Sequence, residues 1–204
     1  MENLIKVKDK LLFDEPLVTN GIVYNLPRAV KASKYPMAVD VSKTNYEITT
    51  RVVSLGNAVS GSGHDNFLKG VLVTFDLTWS VKASVELQRY HFIDFISSQS
   101  TMHRISKFEL DKQYIKYVDE EIVKRMNELR DDYLNESDNE LKKEKYLTLL
   151  YSNPCGFRLT AQMTTNYLQL KTIYNQRKNH RLPEWQVFCE WVEDLPMFKE
   201  FCLK

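Results

Sequence analysis

Apolar and polar residues alternate most regularly in the segment 71–79. The apolar positions are Val71, Val73, Phe75, Leu77 and Trp79, and polar residues occupy positions 74, 76 and 78 between them. Because successive side chains of a strand point to opposite faces, this pattern predicts a β-strand with one buried and one polar face. Weaker patterns predict two more strands, over 95–100 and 158–164.

Helical spacing replaces this alternation elsewhere in the chain. Between residues 118 and 151, Ile122 and three later apolar residues recur at the intervals of an amphipathic helix. Ser137 opens a sequence typical of a capping box, so we predict that a second helix starts there. Further helices are predicted over 28–34, 45–57, 81–92 and 165–180, and from Pro183 onward. Elements in this order predict an α+β fold, in which a mixed sheet is flanked by helices.

Length and composition favour one globular domain over residues 1–204. No internal repeat or long linker is visible, and hydrophobic residues make up 43% of the chain. The formal net charge is +1, which excludes a chain-wide basic surface of the kind that grips duplex DNA. We therefore expect no general nucleic-acid binding, and any anion must be held by a local cluster of charges.

The cysteine count and the N-terminus both favour the cytoplasm. Cys155, Cys189 and Cys202 are an odd number without short paired spacing, which fits neither a disulfide framework nor a zinc site. The first residues alternate charged and apolar side chains, so we expect no signal peptide. No stretch is long and apolar enough to span a bilayer. The four histidines are scattered, and we expect no metal site and no standard hydrolytic motif.

The first of three polar segments is the loop 60–69. Its two glycines free the backbone to present N–H groups to an anion, and His64 and Asn66 add side-chain donors. A surface loop that joins a helix to a strand explains the same composition, and both interpretations stay open.

The second polar segment covers residues 86–104. Helical spacing places Glu86, Arg89 and Tyr90 on one face, with His91 beside them. Arg89 can form an ion pair with Glu86, or it can hold a phosphate through two parallel hydrogen bonds. The short donors that follow are Ser97, Ser98, Gln99, Ser100, His103 and Arg104. Such density is more typical of a ligand pocket than of a core.

The third polar segment lacks acidic residues altogether. No Asp or Glu occurs between Glu144 and Glu184, whereas Lys171, Arg177 and four other basic residues do. An acid-free interval predicts a local positive field and an anionic partner. A basic solvent-exposed face is the alternative.

The order of these segments resembles the flavin-dependent thymidylate synthase family. Members carry a Gly-His loop before an alternating strand, a helix that ends in Arg-His-Arg, a serine-rich segment and a late Thr-x-Asn helix that ends in Leu-Arg. The parallel pieces here are Gly63-His64, Arg89-Tyr90-His91, Ser97-Ser98-Gln99-Ser100, and Thr164-Thr165-Asn166 with Arg177 eleven residues later. The resemblance covers about 45–192.

The resemblance implies a homotetramer that binds FAD and a nucleotide such as dUMP. It also implies a reductive methylation of dUMP with NADPH and methylenetetrahydrofolate as co-substrates. The residues that match nucleotide- or phosphate-binding positions are Arg89, Ser97, Ser98, Ser100, Arg104 and Arg177. Those that match cofactor-binding positions are His64, Asn66, Arg89, His91 and Asn166.

Several positions depart from the family pattern. Arg-Tyr-His replaces Arg-His-Arg at 89–91, Glu86 replaces a glutamine, and Met102 replaces an arginine. Losing one charge-assisted contact to a ligand costs about 1.5–3 kcal/mol of binding free energy.

Because of these departures, two functions stay open. The first is a flavin- and nucleotide-binding enzyme that methylates dUMP or a related pyrimidine nucleotide. The second is a non-catalytic binder of a nucleotide or cyclic dinucleotide on the same fold. A third, single-stranded RNA binding by the basic segment 171–181, lacks an apparent aromatic platform.

Overall fold

A computed structural model describes residues 4–204 of the protein. Residues 1–3 lie outside the described residues. They belong to the N-terminal segment for which the sequence predicts no signal peptide. The strands are β1 (Leu4–Lys6), β2 (Lys10–Leu12), β3 (Glu15–Tyr24), β4 (Leu72–Ser80), β5 (Asp94–Ser98) and β6 (Arg158–Asn166). They form a sheet in the order β1-β3-β4-β6-β5, and β2 also pairs with β3. The pairings of β3 with β1, β2 and β4 are antiparallel.

Ten α-helices accompany the sheet in the described residues. They are α1 (Leu26–Ala32), α2 (Thr50–Gly56), α3 (Val81–Leu87), α4 (Thr101–Arg104), α5 (Leu110–Gln113), α6 (Glu120–Leu134), α7 (Asn139–Ser152), α8 (Tyr167–Arg177), α9 (Pro183–Glu193) and α10 (Phe198–Cys202). Short 3₁₀ turns lie at Tyr35–Met37, Val41–Lys43, Asn66–Gly70 and Ile105–Lys107. The predicted α+β fold class is confirmed.

The alternating pattern predicted β4 correctly. Val73, Phe75, Leu77 and Trp79 are buried, and the polar residues between them are half-buried. The apolar face of this strand is therefore the one that the core covers.

The N-terminal strands were not predicted, because β3 contains residues typical of turns. Asn20 has a φ of 55°, and the pairing of β3 with β4 shifts register between Thr19 and Ile22. Gly21 follows in this irregular stretch, where an added Cβ would lie 2.8 Å from the Trp191 ring. A β-bulge of this kind bends a strand and breaks the alternation that marks it in a sequence.

Several predicted helix ends were wrong. The helix predicted over 45–57 begins only at Thr50, where the Thr49 hydroxyl accepts a hydrogen bond from the Val52 amide. The helix predicted over 81–92 ends at Leu87. Asp138, rather than Ser137, caps α7, because its carboxylate accepts from the first free amides of that helix.

The chain separates into two compact units. The first contains the residues up to Leu77, Arg89–Ile96 and Gln162–Lys204, and the second contains Thr78–Gln88 and Ser97–Ala161. The single domain over 1–204 stays a prediction.

The core of the first unit is built from aromatic rings. Helix α9 packs against β2 and β3, and it contributes Trp185, Phe188 and Trp191. Phe75 of β4 lies 4.9 Å from Trp191 and 5.8 Å from Phe188, measured between ring centres. Fully buried rings of this size contribute large apolar areas, so α9 is the main apolar cover of this part of the sheet.

The core of the second unit is smaller and centres on Phe157. The rings of Phe108 and Tyr114 each meet Phe157 edge-on at 5.4 Å. Met126 and Leu129 of the predicted α6 stripe are buried in the same cluster. Ile122, predicted to share that stripe, is instead 45% exposed. The buried stripe of α6 is therefore shorter than its sequence spacing indicates.

Candidate functional site

The predicted site residues are divided between the two units. The first unit holds His64, Asn66, Arg89, His91, Asn166 and Arg177, and the second holds Ser97, Ser98, Ser100 and Arg104.

In the first unit, Arg177 lies in the last turn of α8, and hydrogen bonding fixes its side chain. Its Nε donates to the Tyr90 hydroxyl at 2.7 Å. The same hydroxyl lies 2.9 Å from Oε1 of Gln176 and donates to it. The Tyr90 hydroxyl therefore accepts one hydrogen bond and donates one, so both its donor and its acceptor capacity are used. This pair of bonds orients the guanidinium.

Aromatic rings flank the same guanidinium. Its central carbon lies 4.9 Å from the centre of the Trp185 ring and 5.5 Å from that of Tyr90. Trp185 is buried, and it meets Tyr90 edge-on at 6.1 Å. A cation over an aromatic face gains about 0.5–2 kcal/mol, depending on how far it is desolvated. We call Tyr90, Gln176, Arg177 and Trp185 the arginine clamp.

Arg89 and His91 lie in the turn between α3 and β5. Both are exposed, and Arg89 makes no hydrogen bond or ion pair with any residue of 4–204. The predicted helical face of Glu86, Arg89 and Tyr90 is wrong, because α3 ends before Arg89. Glu86 instead pairs with Lys82 at 2.8 Å, four residues earlier on the same helix.

The end of that turn has an unusual backbone conformation. Phe92 has a φ of 54°, which is strained for a bulky residue, yet its ring is 70% exposed. The hydroxyl of buried Thr165 donates to the Phe92 carbonyl at 2.7 Å. Asn166 then caps α8, because its Oδ1 accepts from the Gln169 amide at 2.9 Å. The structure thus gives Asn166 a capping role, and cofactor binding by this residue stays a prediction.

A buried ion pair supports the loop 57–65. Lys171 Nζ donates to Asp65 Oδ2 at 2.8 Å and to the carbonyls of Gly56 and Ala58 at 2.8 and 2.7 Å. The two charged side chains are 5% and 2% exposed. Lys171 was predicted to contribute to a positive surface field, and this prediction was wrong because Asp65 neutralises its charge inside the fold.

His64 and Asn66 lie beyond the anchored part of this loop. Both are exposed, and neither side chain hydrogen-bonds to a residue within 4–204. Gly61 and Gly63 have φ values of +89° and +80°, which favour glycine. The loop is held at its base by Lys171 and presents His64 and Asn66 outward.

The predicted serines of the second unit lie at and after the end of β5. Ser97 and Ser98 are exposed, Ser100 is half-buried just before α4, and Arg104 is exposed at the end of α4. Between them, Gln99 forms two bonds with Thr160: its amide donates to the Thr160 carbonyl, and its side-chain oxygen accepts from the Thr160 amide, both at 2.9 Å. Gln99 therefore positions the serine segment.

Comparison with known proteins identifies the fold. No family model and no curated protein sequence matches this chain. A crystal structure of the flavin-dependent thymidylate synthase ThyX from Helicobacter pylori, complexed with FAD and dUMP, matches over 100% of both chains with a TM-score of 0.67 and 16% identity. A second ThyX structure from the same organism, also with FAD and dUMP, matches over 100% of this chain and 98% of the other, with a TM-score of 0.66 and 14% identity. This chain has the ThyX fold.

The ThyX likeness confirms the predicted fold resemblance, and identities of 14–16% carry the fold alone. Residues 4–204 contain no group of three His, Cys, Asp or Glu side chains placed to hold a metal ion. In the same residues, no helix has both the length and the apolar character that a bilayer crossing requires.

The sequence missed Trp185, which forms one wall of the arginine clamp. Its neighbour Pro183 marked only a helix start, and the spacing of Phe188 and Trp191 marked only a buried face. An aromatic residue on a core face gives no sequence signal that a cation from another helix will stack on it.

Proposed function

We propose that this protein binds FAD and a pyrimidine nucleotide such as dUMP. The observation that supports this proposal most strongly is the ThyX fold along the whole chain, since both ThyX structures were solved with these two ligands. The fold alone does not determine a ligand, so the proposal also needs groups suited to anions.

The arginine clamp supplies one such group. Arg177 is a cation whose orientation is set by Tyr90 and Trp185, and a preoriented guanidinium loses little entropy when it binds phosphate. Exposed Arg89 is adjacent to Tyr90 in the chain, and it has no partner within residues 4–204. We assign the phosphate of the nucleotide to Arg177 and Arg89.

The remaining assignments follow the family resemblance. Ser97, Ser98, Ser100 and Arg104 are assigned to the nucleotide, and His64, Asn66, Arg89, His91 and Asn166 to the flavin. The donor set suits both ligands chemically, because hydroxyls, imidazoles and guanidinium groups bind phosphates and ring carbonyls. We also propose that the protein assembles as a homotetramer.

The chemistry of the proposed reaction is redox methylation. Bound FAD supplies hydride transfer between NADPH and the nucleotide, and methylenetetrahydrofolate supplies the carbon. The residues of this chain hold the anionic ligands, orient them and present N–H and O–H donors to them. No side-chain nucleophile is required.

A second candidate function is non-catalytic nucleotide binding on the same fold. The specific observation in its favour is the bond between Arg177 Nε and Tyr90, because it occupies one donor of the arginine internally. Tyr90 itself stands where the family carries histidine. A cyclic dinucleotide is included here, since its phosphates need the same donors.

The first experiment measures ligand binding directly. We expect purified protein, with FAD added, to show a flavin absorbance band that remains after gel filtration, and dUMP to bind in calorimetry. Arg177→Gln should weaken dUMP binding about 10–100-fold, since a charge-assisted bond contributes about 1.5–3 kcal/mol. Arg28→Gln removes an exposed positive charge from α1, away from the arginine clamp, and should leave binding unchanged. A colourless protein that binds neither ligand would overturn the proposal.

A second experiment separates the two candidate functions. The flavin-loaded protein is given dUMP, NADPH and methylenetetrahydrofolate, and the formation of dTMP is followed by chromatography. Product above the level of an Arg177→Gln control supports the enzyme. Ligand binding without product supports the non-catalytic binder.

A further inference from the structure

We propose that a cleft in the second unit is a separate binding site for an aromatic anion of mononucleotide size. The cleft has a volume of about 870 Å³. Segment 102–107 forms one side of it, and helices α6 and α7 form the other. Ligand sites for small molecules commonly enclose roughly 300–1,000 Å³ and combine apolar walls with a few placed polar groups.

One side of the cleft carries unpartnered donors. His103 and Lys107 are exposed, and neither side chain makes a hydrogen bond or ion pair with any residue of 4–204. Ser106 lies between them and adds a hydroxyl. An imidazole, an ammonium and a hydroxyl on one short segment are a donor set suited to a phosphate or carboxylate.

The other side is aromatic and fixed. The Tyr133 ring from α6 and the Tyr146 ring from α7 lie 5.0 Å apart between centres. The Tyr146 hydroxyl donates to the Met102 carbonyl at 2.6 Å, which ties α7 to the start of α4. Lys142 lies over the Tyr133 ring at 5.4 Å and donates to the Glu136 carbonyl at 2.8 Å. These bonds hold the rings in place before any ligand arrives.

The charges and the exposed apolar atoms of the cleft select the ligand class. Of its charged side chains, Lys143 and Glu140 pair with each other at 2.7 Å, which leaves Lys107 and Lys142 as unopposed positive charges. Met102 and Leu147 line this cleft, and about half of the surface of each residue is exposed. A ligand with a flat apolar body and one anionic end satisfies both features, because the body covers the apolar atoms and the anion meets the donors.

The test compares three probes that separate the two halves of such a ligand. In calorimetry, AMP should bind the full-length protein with a Kd of about 1 mM or lower. Adenosine lacks the anion and ribose 5-phosphate lacks the ring, so each should bind at least about 10-fold more weakly. If AMP does not bind, or if either half binds as well as AMP, the proposal is wrong.

Variants locate the bound AMP. Lys107→Gln should weaken AMP binding about 10-fold, and Tyr133→Leu should weaken both AMP and adenosine. Lys124→Gln, on α6 outside the cleft, is the matched control and should change nothing. Lys107 is exposed, so its replacement does not threaten folding even if Tyr133→Leu does.

The same variants test the cleft separately from the proposed FAD and dUMP site. Arg177→Gln should leave AMP affinity at the cleft unchanged, and Lys107→Gln should leave dUMP affinity unchanged. AMP binding that depends on Arg177 and not on Lys107 would overturn the cleft while supporting the nucleotide site of the first unit.

Discussion

Helix α8 carries two cations with opposite environments. Lys171 is buried, and its ammonium is fully used by Asp65 and two carbonyls. Arg177, six residues later, is half-buried and lies between the rings of Tyr90 and Trp185. Both belong to the same acid-free stretch of sequence. One cation stabilises a loop, and the other is oriented in a way that suits a ligand.

This difference shows why counting charges misleads. A buried ammonium is tolerated only when its charge is compensated, and the compensating carboxylate can come from anywhere in the chain. Asp65 lies 106 positions from Lys171. An interval without acids therefore need not produce a positive surface.

The largest effect is expected from Lys171→Met. Removing one partner leaves Asp65 buried without a counter-charge, which costs about 3–5 kcal/mol. Chemical denaturation should show this loss of unfolding free energy. Lys178→Met, which replaces an exposed lysine at the C-cap of the same helix, should cost less than about 1 kcal/mol.

A double variant checks the mechanism of that loss. Lys171→Met combined with Asp65→Asn removes both charges, so it should be more stable than Lys171→Met alone. Equal stabilities for the single and double variants would mean that the ion pair is not the source of the effect.

Thiol labelling can measure separately how readily the regions around Lys171 and Arg177 open. Burial raises the pKa of Cys202, which lies near Lys171, to about 12, and that of Cys189, near Arg177, to about 12 as well. Neither thiol should react at pH 8 until its region opens. In a Cys155→Ser background, which removes the exposed thiol, Lys171→Met should speed labelling of Cys202 at least about 10-fold more than that of Cys189. Equal acceleration would show that both regions open together.

A smaller effect is expected from Gly56→Ala at the base of the Lys171 region. The added Cβ would lie 2.7 Å from the Phe201 carbonyl oxygen and 2.9 Å from the Phe201 Cβ. Overpacking of this kind costs about 1–3 kcal/mol, and thermal denaturation should detect it. At Gly70 the nearest atom to an added Cβ is 3.4 Å away, so Gly70→Ala should cost less. The reverse order would contradict the packing argument.

The smallest effect on stability is expected from Tyr90→Phe in the arginine clamp. The ring stays, and only the hydroxyl that joins Arg177 to Gln176 is lost, at a cost of about 0.5–1.5 kcal/mol. If the hydroxyl orients Arg177 for phosphate, dUMP affinity should fall several-fold in calorimetry. An affinity that rises would mean that the hydroxyl competes with the ligand for Arg177.

Sequence reasoning worked where one residue type determines the local structure. Alternation predicted β4, because its polar positions avoid the core, and Pro183 marked the start of α9. It failed in β3, where Asn20 and Gly21 look like a turn but form a bulge. Local patterns carry no information on the close approach of the Trp191 ring to Gly21, 170 positions away in the chain.

The candidate site was predictable only in part, for the same reason. Arg89 and Arg177 were identified as phosphate ligands by resemblance, and that role stays a prediction. Tyr90 was noted only as a member of a helical face that does not form. Its bond to Arg177 depends on a turn whose backbone is fixed by Thr165, and no spacing rule connects residues 90, 165 and 177.

Phe92 combines a strained backbone conformation with an aromatic ring that lies mostly on the surface. A left-handed backbone costs a non-glycine residue about 1–2 kcal/mol, and the mostly solvated ring recovers little of this in the core. A glycine would adopt the same φ without strain. In Phe92→Gly, the relief of backbone strain and the added flexibility of the unfolded chain act in opposite directions, so little net change in the unfolding free energy should accompany loss of the exposed ring.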